Sequence, residues 1–345
     1  MFFSIYPTDE IKVRRKVISQ ALKSGVTHFF TSLHIPESDD LNQFLEFLKE
    51  NYNTNHITYT ADIGSETLDK FHINFDGLLS LKECGIRGFR IDYGIEHEMI
   101  ERLMDHNFEI SINASTVTVK DIENFSRKNL IGWHNFYPRP YTGISEKYLE
   151  EQNQLLDNYQ IEQKAFIPGE QYKRKPLHLG LPTLEKHREQ NPYISYVELR
   201  KKHRIKDVGV AEGLLREDTL QWILDFENKN IITIPVNLIP EMEKDLTDIK
   251  FRVRIEQTDY SWRLEDTRRF GGIHYDIYNN KPEKSVEFGG IYLDGNCYER
   301  YQGEVHICHS KDDVPMNLHK IGHIKEGYLN LISLLNGRPW IKFTS

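Results

Sequence analysis

Acidic and amide side chains that could act as proton donors or bind a polar substrate follow several short apolar runs of the chain. Asp62 ends Thr-Ala-Asp, Asp92 ends Phe-Arg-Ile-Asp, and Asn113 ends Ser-Ile-Asn. Glu212 ends a later run, Gly-Val-Ala-Glu. Any one of these residues could simply cap the next helix or satisfy loop amides. Because the pattern recurs run after run, it indicates a shared polar pocket in which carboxyl groups perform acid–base chemistry.

The longest run with such groups is His-Asn-Phe-Tyr-Pro-Arg-Pro at 134–140. His134, Asn135 and Tyr137 offer hydrogen-bonding groups to a polar substrate. Arg139 lies between two prolines that stiffen its backbone, and a guanidinium suits bidentate recognition of phosphate or carboxylate. We therefore expect this run to mark the active site.

A long insertion, Pro168–Lys206, carries a second set of charged residues. Thr183 could cap a short helix that presents Glu185 and Arg188. Glu185 is an alternative proton donor, and Arg188 is a second candidate ligand for an anionic group. A solvated surface helix would explain the same residues.

The elements that must position these residues alternate between β-branched or aromatic runs and amphipathic stretches. The predicted strands are Phe2–Tyr6, Thr27–Leu33, His56–Ile63, Gly88–Tyr93, Phe108–Ala114, Ile131–Tyr137, Glu162–Ile167 and Asp207–Ala211. The predicted helices are Glu10–Lys23, Leu41–Glu50, Asn74–Cys84, Glu96–Asp105, Val119–Lys128, Glu146–Tyr159 and Asp218–Lys229. Eight such units in series predict a TIM-like (β/α)8 barrel, in which strand ends converge on one mouth. An open doubly wound sheet is the weaker alternative, because no G-x-G-x-x-G follows the first strand.

After Pro240 the sequence changes to short alternating runs separated by turn signals, which predicts a small β-rich domain. The runs lie at 251–255, 286–293, 303–307 and 322–324, and the turn signals at 279–282, 294–296 and 336–337. We expect a barrel domain over 1–238 and a β domain over 246–345, with a linker near Leu238–Asp245. Arg268 is a candidate substrate ligand from the β domain, although a surface ion pair explains it equally well.

Composition excludes several classes of protein. The 345 residues carry a net charge of −8, with a pI near 6.0, which argues against a broadly basic nucleic-acid or membrane-binding protein. The N-terminus lacks the pattern of a signal peptide, and no apolar run approaches the roughly 20 residues that span a bilayer. The three cysteines form no C-x-x-C pair, so we expect reduced thiols and a cytoplasmic protein. No P-loop, G-x-S-x-G or H-E-x-x-H is present, so we expect no cofactor and no metal; His306, Cys308 and His309 are only a weak metal candidate.

Six runs spread over the whole chain are similar to the sequence of one family. They are Ser-Ile-Tyr-Pro at 4–7, Phe-Thr-Ser-Leu at 30–33, His-Asn-Phe-Tyr-Pro-Arg-Pro-x-Thr-Gly at 134–143, Phe-Ile-Pro-Gly at 166–169, Gly-Leu-Pro-Thr-Leu-Glu-Lys-His-Arg at 180–188 and Arg-Tyr-Gln-Gly-Glu-Val at 300–305. The family that they resemble is the 6-phospho-N-acetylmuramidases. Two stretches depart from its pattern: Tyr-Pro-Thr-Asp-Glu stands where Tyr-Pro-Glu is expected, and Tyr141 stands where an acidic residue is expected before Thr-Gly. The chain therefore resembles a divergent member.

The resemblance implies a TIM-like barrel followed by a cyclophilin-like β domain. It also implies cytoplasmic hydrolysis of N-acetylmuramic acid 6-phosphate β-1,4-N-acetylglucosamine during the recovery of cell-wall peptidoglycan. The partner is then this phosphorylated amino-sugar disaccharide, and a homodimer is a further possibility. A phosphosugar lyase or isomerase, and a non-enzymatic sugar-phosphate binding protein, are the alternatives that the residues leave open.

For a glycosidase, Asp62 and Asp92 are the first-choice carboxyl pair, because neighbouring strands lie about 4.8 Å apart. Glu185 and Glu212 are alternatives for the acid. The sequence leaves open whether a carboxylate or the substrate's own acetamide attacks the sugar. The residues expected to bind sugar hydroxyls or the acetamide are Asn113, His134, Asn135 and Tyr137, and those expected to bind the phosphate or the lactyl carboxylate are Arg139 and Arg188.

Overall fold

The computed structural model describes residues 1–33, 41–92, 94–125, 129–272, 282–311 and 317–345. These residues form two compact units, Met1–Arg216 and Glu217–Ser345. The division lies earlier than the one expected from sequence, 1–238 and 246–345. Residues 231–238 form a strand of the second sheet, and the helix before it, Glu217–Lys229, which was expected to be the last barrel helix, belongs to the same unit.

The first unit is a closed barrel of eight parallel strands, which confirms the predicted TIM-like (β/α)8 fold. Each strand pairs with the next along the chain, and the first pairs with the eighth. The strands are β1 (Phe2–Ser4), β2 (His28–Ser32), β3 (Thr58–Ile63), β4 (Ile86–Ile91), β5 (Glu109–Asn113), β6 (Leu130–Trp133), β7 (Glu162–Ile167) and β8 (Asp207–Val210).

Helices connect these strands on the outside of the barrel, as the amphipathic stretches predict. They are α1 (Ile11–Lys23), α2 (Leu41–Asn55), α3 (Ser65–Lys70), α4 (Phe75–Ser80), α5 (His97–Asp105), α6 (Val119–Glu123), α7 (Glu146–Asn158) and α8 (Pro192–Lys201). The helix predicted over 74–84 is α4 followed by a 3-10 turn, Leu81–Cys84, which ends at Gly85. Gly85 has a φ of +84°, and a Cβ there would lie 2.8 Å from the Ile57 carbonyl oxygen, so glycine is required. The predicted ends at Tyr93 and Lys128 lie outside the described residues.

Aromatic side chains fill the barrel. Phe2 contacts Trp133 and Phe166 edge-on, with ring centroids 4.9 and 5.4 Å apart, and Phe30 packs on the same two rings. Gly209 makes room for this layer, because a Cβ at that position would lie 2.0 Å from the Phe2 ring. The barrel is therefore a packed core, and polar chemistry is confined to the mouth formed by the carboxyl ends of its strands.

The second unit is a sheet of seven strands in the order β10-β15-β9-β14-β12-β13-β11. Its strands are β9 (Ile231–Leu238), β10 (Lys250–Arg252), β11 (Ser261–Arg263), β12 (Gly290–Asp294), β13 (Val305–Cys308), β14 (Leu318–Ile324) and β15 (Trp340–Thr344). β9 and β15 are parallel, and the other neighbours are antiparallel. The helices of this unit are α9 (Glu217–Lys229) and α10 (Pro240–Leu246).

This sheet confirms the predicted β-rich character of the C-terminal third, whereas its likeness to cyclophilin stays a prediction. One face buries Val286, Tyr292, Cys308 and Leu318 together. Of the predicted turn at 279–282, residues 279–281 lie outside the described residues. Among the helices that the structure describes, none combines the length and the apolar character needed to cross a membrane.

Candidate active site

An ion pair between β3 and β4 lies at the barrel mouth. The strand register places Asp62 beside Arg90, and Arg90 Nη1 lies 2.8 Å from Asp62 Oδ1. Arg90 also donates from Nη2 to the side-chain oxygen of Asn135, and from Nε to the Trp133 carbonyl oxygen at 3.3 Å. Because only 4% of the Arg90 side chain and 14% of the Asp62 side chain are exposed, the two charges compensate each other with little solvent screening.

Arg90 was missing from the residues predicted for the site. The signal was present in Phe-Arg-Ile-Asp, because alternation along a strand puts Arg90 and Asp92 on the same face. Only Asp92 stands at the end of the predicted strand, so only Asp92 was predicted to belong to the site. The register makes Arg90, and not Asp92, the lateral partner of Asp62.

Asp92 lies with Asn113 instead. The Asn113 amide nitrogen lies 3.4 Å from Asp92 Oδ1, and the Asn113 oxygen accepts a hydrogen bond from the backbone N–H of Ser115 at 3.1 Å. Asp92 is exposed, and both side chains line a cavity of about 350 Å³ together with His97 and Asp121. This cavity at the ends of β4 and β5 is large enough, and polar enough, to hold part of a sugar ring.

His134 is fully buried and does not face the mouth. Its Nε2 lies 2.9 Å from Asn153 Oδ1, and its Nδ1 lies 3.2 Å from Ser115 Oγ. Burial lowers its pKa to about 4, so the ring is neutral at pH 7. Ser115 Oγ also accepts the backbone N–H of Asn135 at 3.0 Å. His134 therefore positions Asn135 through Ser115, which differs from the sugar contact expected of it.

Glu185 and Arg188 hold the loop that follows β6. Arg188 Nε and Nη2 lie 2.6 and 2.7 Å from the two Glu185 oxygens. Glu185 also accepts the backbone N–H groups of Tyr141 and Gly143 at 2.8 and 2.7 Å, while Arg188 donates to the Tyr137 carbonyl at 2.9 Å. The hydrogen bonds from Arg188 lower the pKa of Glu185 to about 2. Glu185 is thus unsuited to donate a proton at neutral pH, and the donors of Arg188 are occupied within the protein.

Arg139, on the same loop, is exposed. Its guanidinium makes no hydrogen bond or ion pair with the residues that the structure describes, in contrast to that of Arg188. A cavity of about 600 Å³ beside the loop is lined by Lys173 and Lys186, among others. Tyr137 is half-buried, and its backbone N–H donates to the Pro182 carbonyl at 3.0 Å. Of the two arginines predicted to bind an anion in this unit, Arg139 therefore has an available guanidinium, whereas that of Arg188 is already hydrogen-bonded within the protein.

Glu212 follows β8 and is a buried acid, with only 1% of its surface exposed. Its Oε2 accepts the backbone N–H of Arg174 at 2.5 Å, and the backbone of Leu181 also favours the charged carboxylate. Desolvation raises its pKa to about 7, although Lys173 and Arg174 lie nearby and favour the charged form. Glu212 therefore keeps its proton close to neutral pH.

Asp9, after β1, is a second carboxyl group of this kind. Its Oδ2 accepts the backbone N–H of Tyr6 at 2.8 Å, and desolvation raises its pKa to about 6. Unlike Glu212, it is only partly buried. The Arg174 guanidinium stacks on the Tyr6 ring, 4.1 Å from its centroid, and lies close enough to act on both carboxyl groups. Since β1 and β8 are paired, Asp9 and Glu212 occupy neighbouring strand ends.

Neither Asp9 nor the contacts of Tyr6 were predicted. Asp9 follows the first predicted strand in Tyr-Pro-Thr-Asp, so its position after a strand was a signal that could have identified it. Arg268, the predicted ligand in the second unit, lies near Glu304 and stacks on Tyr301. Its role toward substrate stays a prediction.

Two groups of side chains have the composition of metal ligands, with atoms within 4.8 Å of one another. They are Glu146, Glu198 and His203 in the first unit, and Asp294, Glu304 and His306 in the second. In the first group, Lys186 contacts both Glu146 and Glu198, and Lys202 contacts Glu146. In the second group, three arginine side chains lie within 4.0 Å of Glu304. In both groups, cationic side chains supply the positive charge that a metal ion would otherwise provide.

Comparisons with known proteins agree over the whole chain. A family model described as 6-phospho-N-acetylmuramidase, N-terminal, matches residues 2–224, and one described as 6-phospho-N-acetylmuramidase, C-terminal, matches residues 232–344. The crystal structure of a conserved Enterococcus faecalis protein of unknown function is similar, with a TM-score of 0.83 and 27% identity over 100% of this chain and 96% of that chain. An uncharacterized B. cereus protein has the same fold, with a TM-score of 0.78 and 22% identity over 100% of this chain and 99% of that chain. No curated protein matches this sequence.

Proposed function

Because this chain belongs to the 6-phospho-N-acetylmuramidase family, we propose that it hydrolyses the β-glycosidic bond of an N-acetylmuramic acid 6-phosphate glycoside. The substrate on this proposal is the disaccharide with N-acetylglucosamine, released from the cell wall and hydrolysed in the cytoplasm during peptidoglycan recycling. The observation that carries the proposal is that carboxyl groups with raised pKa values and a carboxylate held beside an arginine follow strands of the same barrel, at the ends that form its mouth. A glycosidase needs one group of each kind.

Asp9 is the proposed proton donor. A donor must hold its proton near neutral pH and must also reach the leaving oxygen of the substrate. Asp9 has a raised pKa, about 6, and a side chain that is only partly buried. Glu212 has the higher pKa but is closed off from solvent, so in this proposal it maintains the low polarity around Asp9 and Tyr6.

Asp62 is the proposed ionised partner. Its ion pair with Arg90 stabilises the charged form, which can attack the anomeric carbon or orient the substrate acetamide that does so. Both schemes proceed through two displacements, so both retain the configuration at the anomeric carbon. Arg90 also fixes Asn135, which places an amide beside the same carboxylate.

Substrate binding is assigned to the rest of the mouth. Asp92 and Asn113 line the cavity at the ends of β4 and β5 and are proposed to bind sugar hydroxyls. Asn135 and Tyr137 would contact the acetamide side of the ring. Arg139, whose guanidinium is exposed, is proposed to bind the 6-phosphate or the lactyl carboxylate.

The test is a comparison of Asp9→Asn, Glu212→Gln and Asp62→Asn on two substrates. One is the phosphorylated disaccharide, and the other is its 4-nitrophenyl analogue, whose leaving group needs little protonation. Asp9→Asn should lose roughly 10²- to 10⁴-fold in kcat/KM on the disaccharide and far less on the analogue. Asp62→Asn should lose activity on both substrates. If Glu212→Gln, and not Asp9→Asn, lost activity mainly on the disaccharide, the proton donor would be Glu212.

Mass analysis of the products tests the reaction itself. Hydrolysis gives N-acetylmuramic acid 6-phosphate and N-acetylglucosamine, and NMR of the first product should show the β anomer before mutarotation. Release of D-lactate with the glycosidic bond intact would instead identify a lyase. Tight binding of the disaccharide without any turnover would refute the proposed enzyme activity.

A further inference from the structure

Three arginine side chains of the second unit surround one buried glutamate. We call this group the arginine cluster: Arg254, Arg263, Arg268 and Glu304. Arg254 Nε and Arg268 Nη2 lie 2.8 and 3.4 Å from Glu304 Oε1, and Arg263 Nη1 lies 3.9 Å from Oε2. Only 3% of the Glu304 side chain is exposed, against 25%, 26% and 36% for the three arginines in order. The Glu304 carboxylate is therefore buried beneath the cluster, and the guanidinium groups are the part of the cluster that solvent reaches.

The sheet itself brings these residues together. Arg263 ends β11 and pairs in register with His306 of β13, two residues after Glu304. The backbone N–H of Arg254 donates to the Arg263 carbonyl at 2.9 Å, which fixes the segment after β10 against β11. Arg268 begins a 3-10 turn, Arg268–Gly272, and its guanidinium stacks 4.6 Å from the centre of the Tyr301 ring. Backbone pairing and ring stacking therefore hold the cluster in place.

The charges of the cluster do not balance. The carboxylate of Asp294 lies within 4.8 Å of that of Glu304, so three guanidinium groups face two carboxylates and leave a net charge of +1 in a half-buried setting. Each guanidinium carries five N–H donors, far more than the two oxygens of Glu304 can accept. The Nε atoms of Arg263 and Arg268 are buried and have no hydrogen-bond partner within the part of the chain that the structure describes. Like charges held this closely repel one another, so a bound anion would stabilise the arrangement.

We propose that the arginine cluster is a binding site for a phosphate monoester. A phosphate monoester carries a charge of about −1.5 to −2 at neutral pH, opposite in sign to the excess charge, and three oxygens that can accept hydrogen bonds from the unused guanidinium donors. Phosphate binding in the second unit follows from this geometry alone. The choice of a sugar phosphate as the ester rests on the proposed function.

Phosphate protection of the arginines against phenylglyoxal, mapped by mass spectrometry on the full chain, tests this site directly. The three arginines of the cluster should react more slowly in inorganic phosphate than in sodium chloride of equal ionic strength. At a phosphate concentration about ten times Kd, the rate should fall about tenfold. Arg338, which pairs with both oxygens of Glu265 at about 3.0 Å, should react at the same rate in both salts and is the internal control. Equal rates in both salts at all three cluster arginines would overturn the proposal.

Matched variants identify the residues responsible. Arg268→Gln should weaken the phosphate protection of Arg263 by roughly tenfold to a hundredfold in Kd, because one charge-assisted contact is lost. Arg338→Gln, in the same unit, should leave that protection unchanged. Arg254→Gln provides a second test if Arg268→Gln alters folding. Equal protection in Arg268→Gln, Arg254→Gln and Arg338→Gln would refute the cluster as the site.

The ligand class is tested with three probes in the same assay. Inorganic phosphate and N-acetylmuramic acid 6-phosphate should both protect the cluster, and tighter binding of the sugar phosphate would identify an ester as the preferred ligand. Equal protection by unphosphorylated N-acetylmuramic acid would show that a carboxylate suffices, which contradicts the proposal. The protection assay does not depend on turnover. The phosphate site can therefore be refuted while the proposed glycosidase activity stands, and the glycosidase activity can be refuted while the phosphate site stands.

Discussion

Replacing Glu212 with Gln should make the stability of the barrel less dependent on pH. A carboxyl group whose pKa is raised by folding contributes stability below its ordinary pKa and loses that contribution as the pH rises through the raised value. For Glu212 these limits are 4.5 and about 7. The difference corresponds to about 3 kcal/mol, because burial leaves little solvent to screen the charge. Gln keeps the acceptor oxygen for the Arg174 N–H and has no charge to desolvate.

We therefore expect wild type and Glu212→Gln to differ little in free energy of unfolding near pH 4.5. The variant should become the more stable protein as the pH rises, by about 2 kcal/mol between roughly pH 5.5 and pH 8. The free energy of unfolding of the barrel unit alone is measured by urea denaturation, with pulsed hydrogen exchange of peptides from β1 and β8 as the signal. Glu189→Gln, at an exposed position of the same unit, is the control and should show no such trend. A difference between wild type and Glu212→Gln that stays constant with pH would refute the buried, protonated Glu212.

Three further predictions concern the anion site, the loop after β6 and the barrel core. Arg139→Ala should raise KM roughly tenfold to a hundredfold for the phosphorylated disaccharide and much less for its unphosphorylated form; equal effects in steady-state kinetics would refute a phosphate contact. Glu185→Gln should destabilise the barrel by about 1–3 kcal/mol in urea denaturation. Because the pKa of Glu185 is about 2, the wild-type advantage should persist above roughly pH 4.5 and vanish as the pH falls through about 2. Gly209→Ala should cost about 1–3 kcal/mol, since the new methyl group would overlap the Phe2 ring; an unchanged urea midpoint would contradict the packing described.

Most of the barrel could be predicted from the order of residues along the chain. Each predicted strand overlaps an observed one, because alternation of β-branched and aromatic residues is a local signal. The strand Ile231–Leu238 was missed, since it reads as a short apolar run after a helix and its partners lie 84 to 109 residues later. A pairing partner so distant leaves no trace in the local pattern.

The sequence alone determined which residues stand at strand ends, and its long motif at 134–143 determined the family. Residue types and spacing carry that information because a parallel barrel always gathers the carboxyl ends of its strands at one mouth. The tertiary structure decided what each residue does there. Whether a carboxyl group keeps its proton depends on neighbours brought from other strands, which is why burial gives Glu212 a pKa of about 7 while Arg188 lowers that of Glu185 to about 2. Desolvation and charge pairing act through space, so they became visible only once the chain was folded.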